Sequence, residues 1–446
     1  MSASVTTTRP FVAKLAEQYA NVRRTTVGLC SGLTAEDMMV QSMPDASPAK
    51  WHLAHTTWFF ETFLLKPNLP GYQLFHDDFT FLFNSYYKQL GSHPNRSFRG
   101  LFSRPSLDEV LAYRDHVDGR MSRLIEGADE ETAKLIILGL NHEQQHQELI
   151  VTDIKHALWS NPLKPAWKNN SPSPEKTVPP FSWRVFDKGL YGIGCSADTP
   201  VRVDDGISSS FSFDNETPRH QLFLNHFSLA SRLVTNGEYL EFMRDGGYTR
   251  PELWLSMGWD TVCEQRWTAP LYWEERDGQW HVFTVNGLQP VVMSEPVCHV
   301  SYFEADAFAR WSGARLPLES EWEVAASSVP VQGNFLESAL LHPYPEGAPF
   351  KPSVGLSGVV SHQITSYSDV QMFGNVWQWT SSPYVAYPGF SPAAGALGEY
   401  NGKFMCNQMV LRGGSCATPQ SHIRATYRNF FPPHVRWQFM GIRLAK

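Results

Sequence analysis

From about residue 10 to residue 160 the apolar positions recur at helical spacing, in long Leu/Ala/Glu/Lys-containing segments such as Ser106 to Glu126 and Glu130 to Trp159. This pattern predicts a helical bundle. The stretch Asn161 to Pro180 (NPLKPAWKNNSPSPEKTVPP) is too rich in Pro, Ser and Asn to continue a helix and reads as a linker. Beyond it the texture changes to short alternating β-like pieces, frequent Gly/Pro turns and isolated Trp, with helices expected only near Thr235 to Arg244 and Tyr302 to Ser312. The expected organisation is therefore multidomain, α then α+β: a helical domain over 1–160, a linker over 161–180 and an irregular α+β domain over 181–446. No fixed-period repeat interrupts this order.

Composition narrows the class. A chain of 446 residues is too long for one ordinary core, and a hydrophobic fraction of 42% supplies two. The net charge is -7 and the Lys and Arg residues are scattered, so no basic stripe is available to follow a phosphate backbone and nucleic acid is not an expected partner. The N-terminal residues lack the charged, apolar, small order of a signal peptide, and no apolar run approaches the roughly 20 residues of a membrane span. The expected address is the cytoplasm, with no membrane partner. Cys30, Cys195, Cys263, Cys298, Cys406 and Cys416 form no CxxC pair, so separate reduced thiols are expected rather than a disulfide framework or a thiolate zinc site.

The chemistry concentrates in two helical segments. In NHEQQHQELIVT (Asn141 to Thr152), His142 and His146 are four residues apart, which sets two imidazoles on one helix face, about 5–6 Å apart at Cβ, as ligands for one metal. In KWHLAHTTWFFET (Lys50 to Thr62), His52 and His55 sit in an aromatic helix, and either would complete a three-histidine set with open positions if the two helices face each other. The first segment also matches H-E-x-x-H, with Glu143 as the general base of a zinc peptidase. Against that reading, the next Glu after Glu148 is Glu175, and Leu149 stands where the metzincin extension needs Gly.

SPAKWHLAHTTWFFE (Ser47 to Glu61) together with NHEQQHQE (Asn141 to Glu148) resembles the DinB-like four-helix domain of the sulfoxide synthases of ergothioneine biosynthesis. The second half is similar to the formylglycine-generating-enzyme (sulfatase-modifying factor) fold, a variant of the C-type lectin architecture. That likeness is carried by ARLPLESEWEVAA (Ala314 to Ala326), MFGNVWQWTSSPY (Met372 to Tyr384), VLRGGSC (Val410 to Cys416) and RATYRN with FMGIRLA (Arg424 to Ala445). One departure separates it from the formylglycine-generating enzyme itself: the second cysteine that enzyme needs about five residues on is here Ser421.

The resemblance implies an Fe(II) cofactor held by His55, His142 and His146, with His52 just outside the ligand set. It implies O2, hercynine (Nα-trimethylhistidine) and a cysteine thiol as small-molecule substrates, and a sulfoxide product. Gln145 would reach bound substrate, and Asn429, Phe430 and Phe431 occupy the family's betaine-binding loop, where aromatic faces suit a quaternary ammonium. Actinobacterial relatives have an Asp in the place of Phe431, which here favours free cysteine over γ-glutamylcysteine and marks a non-actinobacterial subtype. Of Arg96 and Arg99, Arg96 is the expected partner of the cysteine carboxylate. A hydroxyl donor is expected from Tyr86 and Tyr87, with Tyr384 and Tyr387 as the other source in the family. The alternatives are the same reaction with γ-glutamylcysteine, an ovothiol-type thiohistidine synthase, whose fused methyltransferase this length excludes, and the peptidase. A non-catalytic lectin-like binding protein is disfavoured by the intact spacing of three ligand histidines.

Overall fold

The computed structural model describes residues 9–169, 175–196, 211–345, 371–392, 395–399 and 401–446. Residues 170–174 of the expected linker lie outside them. Counting helices of eight residues or more, the first half is built from α1 (Arg9–Leu29), α2 (Ala49–Phe60), α3 (Leu107–Glu126) and α4 (Glu130–Ser160). Helices α1 and α2 each pack against both α3 and α4, which makes a four-helix bundle. Helix starts are set by local chemistry. Ser106 and Glu109 form a reciprocal capping box at α3, and the Asp129 carboxylate accepts from Thr132 N at 2.8 Å at α4.

Helix α2 is buried along its whole length. It is buried on all sides, and its polar Lys50, His52, His55, Thr56 and Thr57 side chains point into the protein rather than to solvent. It runs directly into a wide π-type turn, Glu61–Leu65, and the buried Glu61 carboxylate there accepts from Tyr72 Oη at 2.6 Å and Tyr113 Oη at 2.5 Å.

The second half carries short strands. Two antiparallel pairs, β1 (Trp183–Phe186) with β4 (Phe227–Ala230) and β2 (Gly189–Ile193) with β3 (His220–Leu224), precede a three-stranded meander of β5 (Trp273–Arg276), β6 (Gln279–Thr284) and β7 (Gly287–Pro290). The last sheet has the order β10-β9-β8-β11, from β8 (Trp377–Pro383), β9 (Met409–Arg412), β10 (Asn429–Phe431) and β11 (Met440–Gly441), with β11 parallel to β8.

Four helices accompany these strands where the sequence predicts two. Besides α5 (Asn236–Arg244) and α7 (Tyr302–Trp311), the structure adds α6 (Ser256–Gln265) and α8 (Glu319–Ala326). Helix α6 has no capping side chain at its start, and α8 is buried on nearly every side, so it lacks the polar face that betrays a surface helix. The bundle core continues through Tyr272, Phe283, Cys416 and Phe439 of the second half, so one apolar cluster joins the two. All six cysteines are free, and no described helix is long and apolar enough to cross a membrane.

Candidate metal centre

Helix α2 brings His55, and α4 brings His142 and His146, to one buried point. One ring nitrogen from each lies within 4.8 Å of the other two. His55 hydrogen-bonds through Nδ1 to the Phe83 carbonyl at 2.6 Å, which leaves its buried Nε2 unpartnered, and neither ring nitrogen of His142 has a partner. His146 is tied through Nδ1 to His52 Nδ1 at 2.8 Å. Orphaned polar atoms are rare in a core, and three on two converging rings are what a metal would satisfy.

Electrostatics keep the rings ready to bind. Burial holds His55 and His146 well below the usual imidazole range, with the charge of His142 adding to the effect, and burial brings His142 down to about 4. Neutral imidazoles offer lone pairs, as ligation requires. The donor set suits a first-row divalent ion and leaves positions open for other ligands.

Glu143 points elsewhere. Its buried carboxylate accepts from Arg23 Nη1 at 2.8 Å and Arg114 Nη2 at 2.9 Å. Burial works to raise it, but the two guanidiniums override burial and hold it at about 2. A carboxylate locked between two arginines is no general base, which removes the peptidase reading of the H-E-x-x-H pattern.

The remaining polar face of α4 docks on the second half. Asn141 meets His422 at 3.0 Å, Gln144 donates to Ser421 Oγ at 2.7 Å, and Gln145 donates to Tyr427 Oη at 2.8 Å. Glu148 accepts from Ser415 Oγ, Thr418 Oγ1 and Trp377 Nε1 at 2.5, 2.9 and 2.8 Å. Thus the helix that bears two of the histidines also holds the connection between β9 and β10, and through Trp377 the start of β8, against them.

Comparison with known proteins agrees with this two-part build. Residues 18–150 match the DinB superfamily, and residues 195–446 match the sulfatase-modifying factor enzyme 1-like domain. The hercynine oxygenase of Mycolicibacterium thermoresistibile is 31% identical, over 98% of this chain and 95% of its own. That of Mycobacterium tuberculosis is also 31% identical, over 97% and 98%. The chain belongs to the hercynine oxygenase family. Ergothioneine biosynthesis protein 1 of Schizosaccharomyces pombe is 28% identical over 53% of this chain and 28% of its own.

Within this family frame the other expected residues fall into two groups. Near the histidines, Tyr87 packs at 5.6 Å from Trp58, whose indole stacks on His55 at 5.5 Å, and Tyr86 Oη donates to Tyr87 Oη at 3.3 Å. An aromatic chain runs on from Tyr86 through Phe404 at 6.0 Å and Phe430 at 5.8 Å to Tyr384, stacked on Phe430 at 4.0 Å. The two family sources of a tyrosine hydroxyl thus stand at opposite ends of one row of rings. On β10, successive side chains alternate faces, so Phe430 joins this row while Phe431 packs against the core of the second half. Asn429 turns its carbonyl oxygen back to Phe430 N at 2.9 Å.

Arg96 and Arg99 separate completely. Arg96 is exposed and donates to the Asp45 carbonyl, whereas Arg99 is buried with its guanidinium 3.5 Å from the ring centre of Trp51, itself stacked on His55 at 4.6 Å. Arg99 donates to Ser47 Oγ and Ser85 Oγ, and among the described residues it pairs with no carboxylate. Burial, with the charge of Arg96 beside it, pushes it down to about 9. Sequence reasoning missed Trp51, Asp153, His422 and Tyr427, of which Asp153 had a signal: it follows His146 by two helical turns.

Proposed function

We propose that the protein is an Fe(II)- and O2-dependent sulfoxide synthase of ergothioneine biosynthesis that joins the sulfur of free cysteine to the imidazole of hercynine, giving hercynylcysteine sulfoxide. The observation that carries this reading is the set of three buried neutral imidazoles with converging lone pairs, in a chain collinear with hercynine oxygenases. In the balanced reaction the imidazole C–H and thiol S–H hydrogens leave with one oxygen atom as water, and the other oxygen remains on sulfur. Bound iron supplies the open positions and the redox chemistry that let O2, thiol and imidazole meet.

The chain's own residues do the rest. His55, His142 and His146 hold the metal, and residues 1–160 form the domain built around them. Residues 161–180 connect to 181–446, which walls the substrates. Gln145, whose amide donates to Tyr427 Oη, holds that tyrosine at the hercynine side of the site, and Tyr86 and Tyr87 hold the proton to be delivered. Arg99 rather than Arg96 anchors the cysteine carboxylate, because a buried guanidinium without a carboxylate gains most from an anionic partner. Phe430 and Asn429 shape the end that receives the trimethylammonium, which an aromatic face attracts without hydrogen bonds, and Phe431 packs behind them on the opposite face of the strand. Six free cysteines fit a reducing cytoplasm.

The test is anaerobic reconstitution with Fe(II), then O2, with histidine, hercynine, cysteine and γ-glutamylcysteine supplied in pairs and products read by mass spectrometry. Hercynine with cysteine should give one product heavier by one oxygen than the simple thioether. Product from unmethylated histidine instead would establish the ovothiol-type reaction.

A further inference from the structure

The three histidines are held in different ways. A backbone carbonyl orients His55, packing alone orients His142, and His146 rests on a chain of side chains: His146 Nδ1 to His52 Nδ1 at 2.8 Å, and His52 Nε2 to Asp153 Oδ2 at 3.0 Å. The same Asp153 oxygen accepts from Ser47 N at 2.8 Å, so the carboxylate is itself pinned.

The direction of each hydrogen bond follows from the groups. A carboxylate only accepts, so His52 carries its proton on Nε2, and a neutral imidazole with Nε2–H accepts at Nδ1. His146 must therefore donate from Nδ1, and its lone pair is left on Nε2. We infer that Asp153 and His52 are a positioning pair that locks His146 into its Nε2-binding tautomer and lends that ligand part of an anionic charge. This rests on the metal-site reading under Proposed function.

The consequence is chemical. A three-histidine site has one negative charge fewer than a two-histidine-one-carboxylate site. Here the carboxylate acts through two imidazoles, strengthening one ligand without occupying a coordination position. The geometry is built into both helices: His52 and His55 are three residues apart on α2, and His146 and Asp153 are seven apart on α4, so each helix gives one residue to the relay beside those it gives to the metal face.

The experiment uses the full chain, anaerobic Co(II) as a spectroscopic probe, and competition against a chromophoric chelator for affinity. Asp153→Asn keeps an oxygen for Ser47 N and His52 but removes the charge, His52→Leu removes the relay, and His52→Asn restores an acceptor for His146 Nδ1–H. His52→Leu should weaken Co(II) binding by roughly 10–100-fold, as loss of such partners does elsewhere. Asp153→Asn should show a smaller loss with a shifted Co(II) ligand-field band, and His52→Asn should recover part of the His52→Leu loss.

Asp153→Asn with wild-type affinity and an unshifted band, in protein with an unchanged near-UV circular dichroism spectrum, would overturn the inference, and it decides the matter if His52→Leu does not fold. Wild-type protein that binds Co(II) with this ranking of variants but forms no C–S product would remove the sulfoxide synthase reading and leave the relay. Normal turnover with indifferent variants would do the reverse.

Discussion

Two faces of helix α4 handle buried polarity in opposite ways. On the docking face every polar side chain from Asn141 through Gln144, Gln145 and Glu148 to Thr152 has a partner in the second half of the chain, and Lys155 ends the row 2.7 Å from His299 Nε2. On the metal face, His142 has no partner at either nitrogen, and His55 opposite it keeps one nitrogen unpartnered. Burying an unpaired polar group costs about 1–3 kcal/mol, so such a pair persists only where something else satisfies it. The docking face is structure, complete in the protein alone. The metal face is completed by its ligand.

The contrast breaks most sharply at the ligands. Replacing His55, His142 or His146 with Ala should abolish bound iron and turnover, read by metal analysis and product mass, whereas Gln144→Ala on the docking face should keep the iron. Next in size is Glu143, which sits between the two histidines in sequence and belongs to neither face. Glu143→Gln would leave Arg23 and Arg114 short of their buried carboxylate, a loss of about 3–5 kcal/mol in denaturant unfolding. The folded fraction should still bind metal with unchanged affinity. A variant that stays stable but loses hydrolysis of peptides would restore Glu143 as a base.

Much of this was legible in the sequence, for identifiable reasons. Helices α1, α3 and α4 show because each is long and periodic, and the His142 and His146 pair shows because four residues close one turn of helix. Spacing alone left the third ligand open between His52 and His55, since both lie in a helix buried all round, and it was the family resemblance that named His55. Arg96 and Arg99 look alike in sequence, and only the turn of Arg96–Leu101 decides that Arg99 faces Trp51 while Arg96 faces solvent. Phe430 and Phe431 read as one aromatic wall, but strand alternation sends them to opposite faces. The docking partners of α4 lie 144 to 286 residues along the chain, beyond the reach of any local pattern.

His142 on the metal face and Glu148 on the docking face should titrate in opposite senses. His142 is depressed from 6.5 to about 4 in the fold, so its contribution to the metal-free protein is complete above 6.5 and is lost as pH falls toward 4, by roughly 3 kcal/mol. Burial raises Glu148 despite its three donors, so its contribution is present below the ordinary carboxylate value and is lost as pH rises through the raised one. Denaturant unfolding of metal-free protein between pH 4 and 8 should show His142→Asn reducing the acid-side loss that it shares with the other buried histidines, and Glu148→Gln reducing the opposing slope. Identical pH profiles for the two variants would erase the distinction between the faces.

The smallest effect concerns the substrate wall, where the docking face leads into the second half. Free cysteine should be used with higher kcat/KM than γ-glutamylcysteine, because the longer donor brings a further ammonium and carboxylate that must exchange water for protein partners. Where the family resemblance implies an acidic side chain in actinobacterial members, this chain has Phe431, packed against the core of the second half and unable to meet an ammonium. Specificity then arises from leaving the glutamyl charges unmet. Each unmet 1.4 kcal/mol is about a tenfold loss, so a preference of roughly tenfold or more is expected when both thiols compete in one reaction and the products are separated by mass. Phe431→Asp should narrow that preference without changing iron content. Equal use of the two thiols by the wild type would mean that a cation or anion elsewhere on the wall meets the glutamyl group, and that the completed, self-satisfied character of the docking face stops short of the substrate.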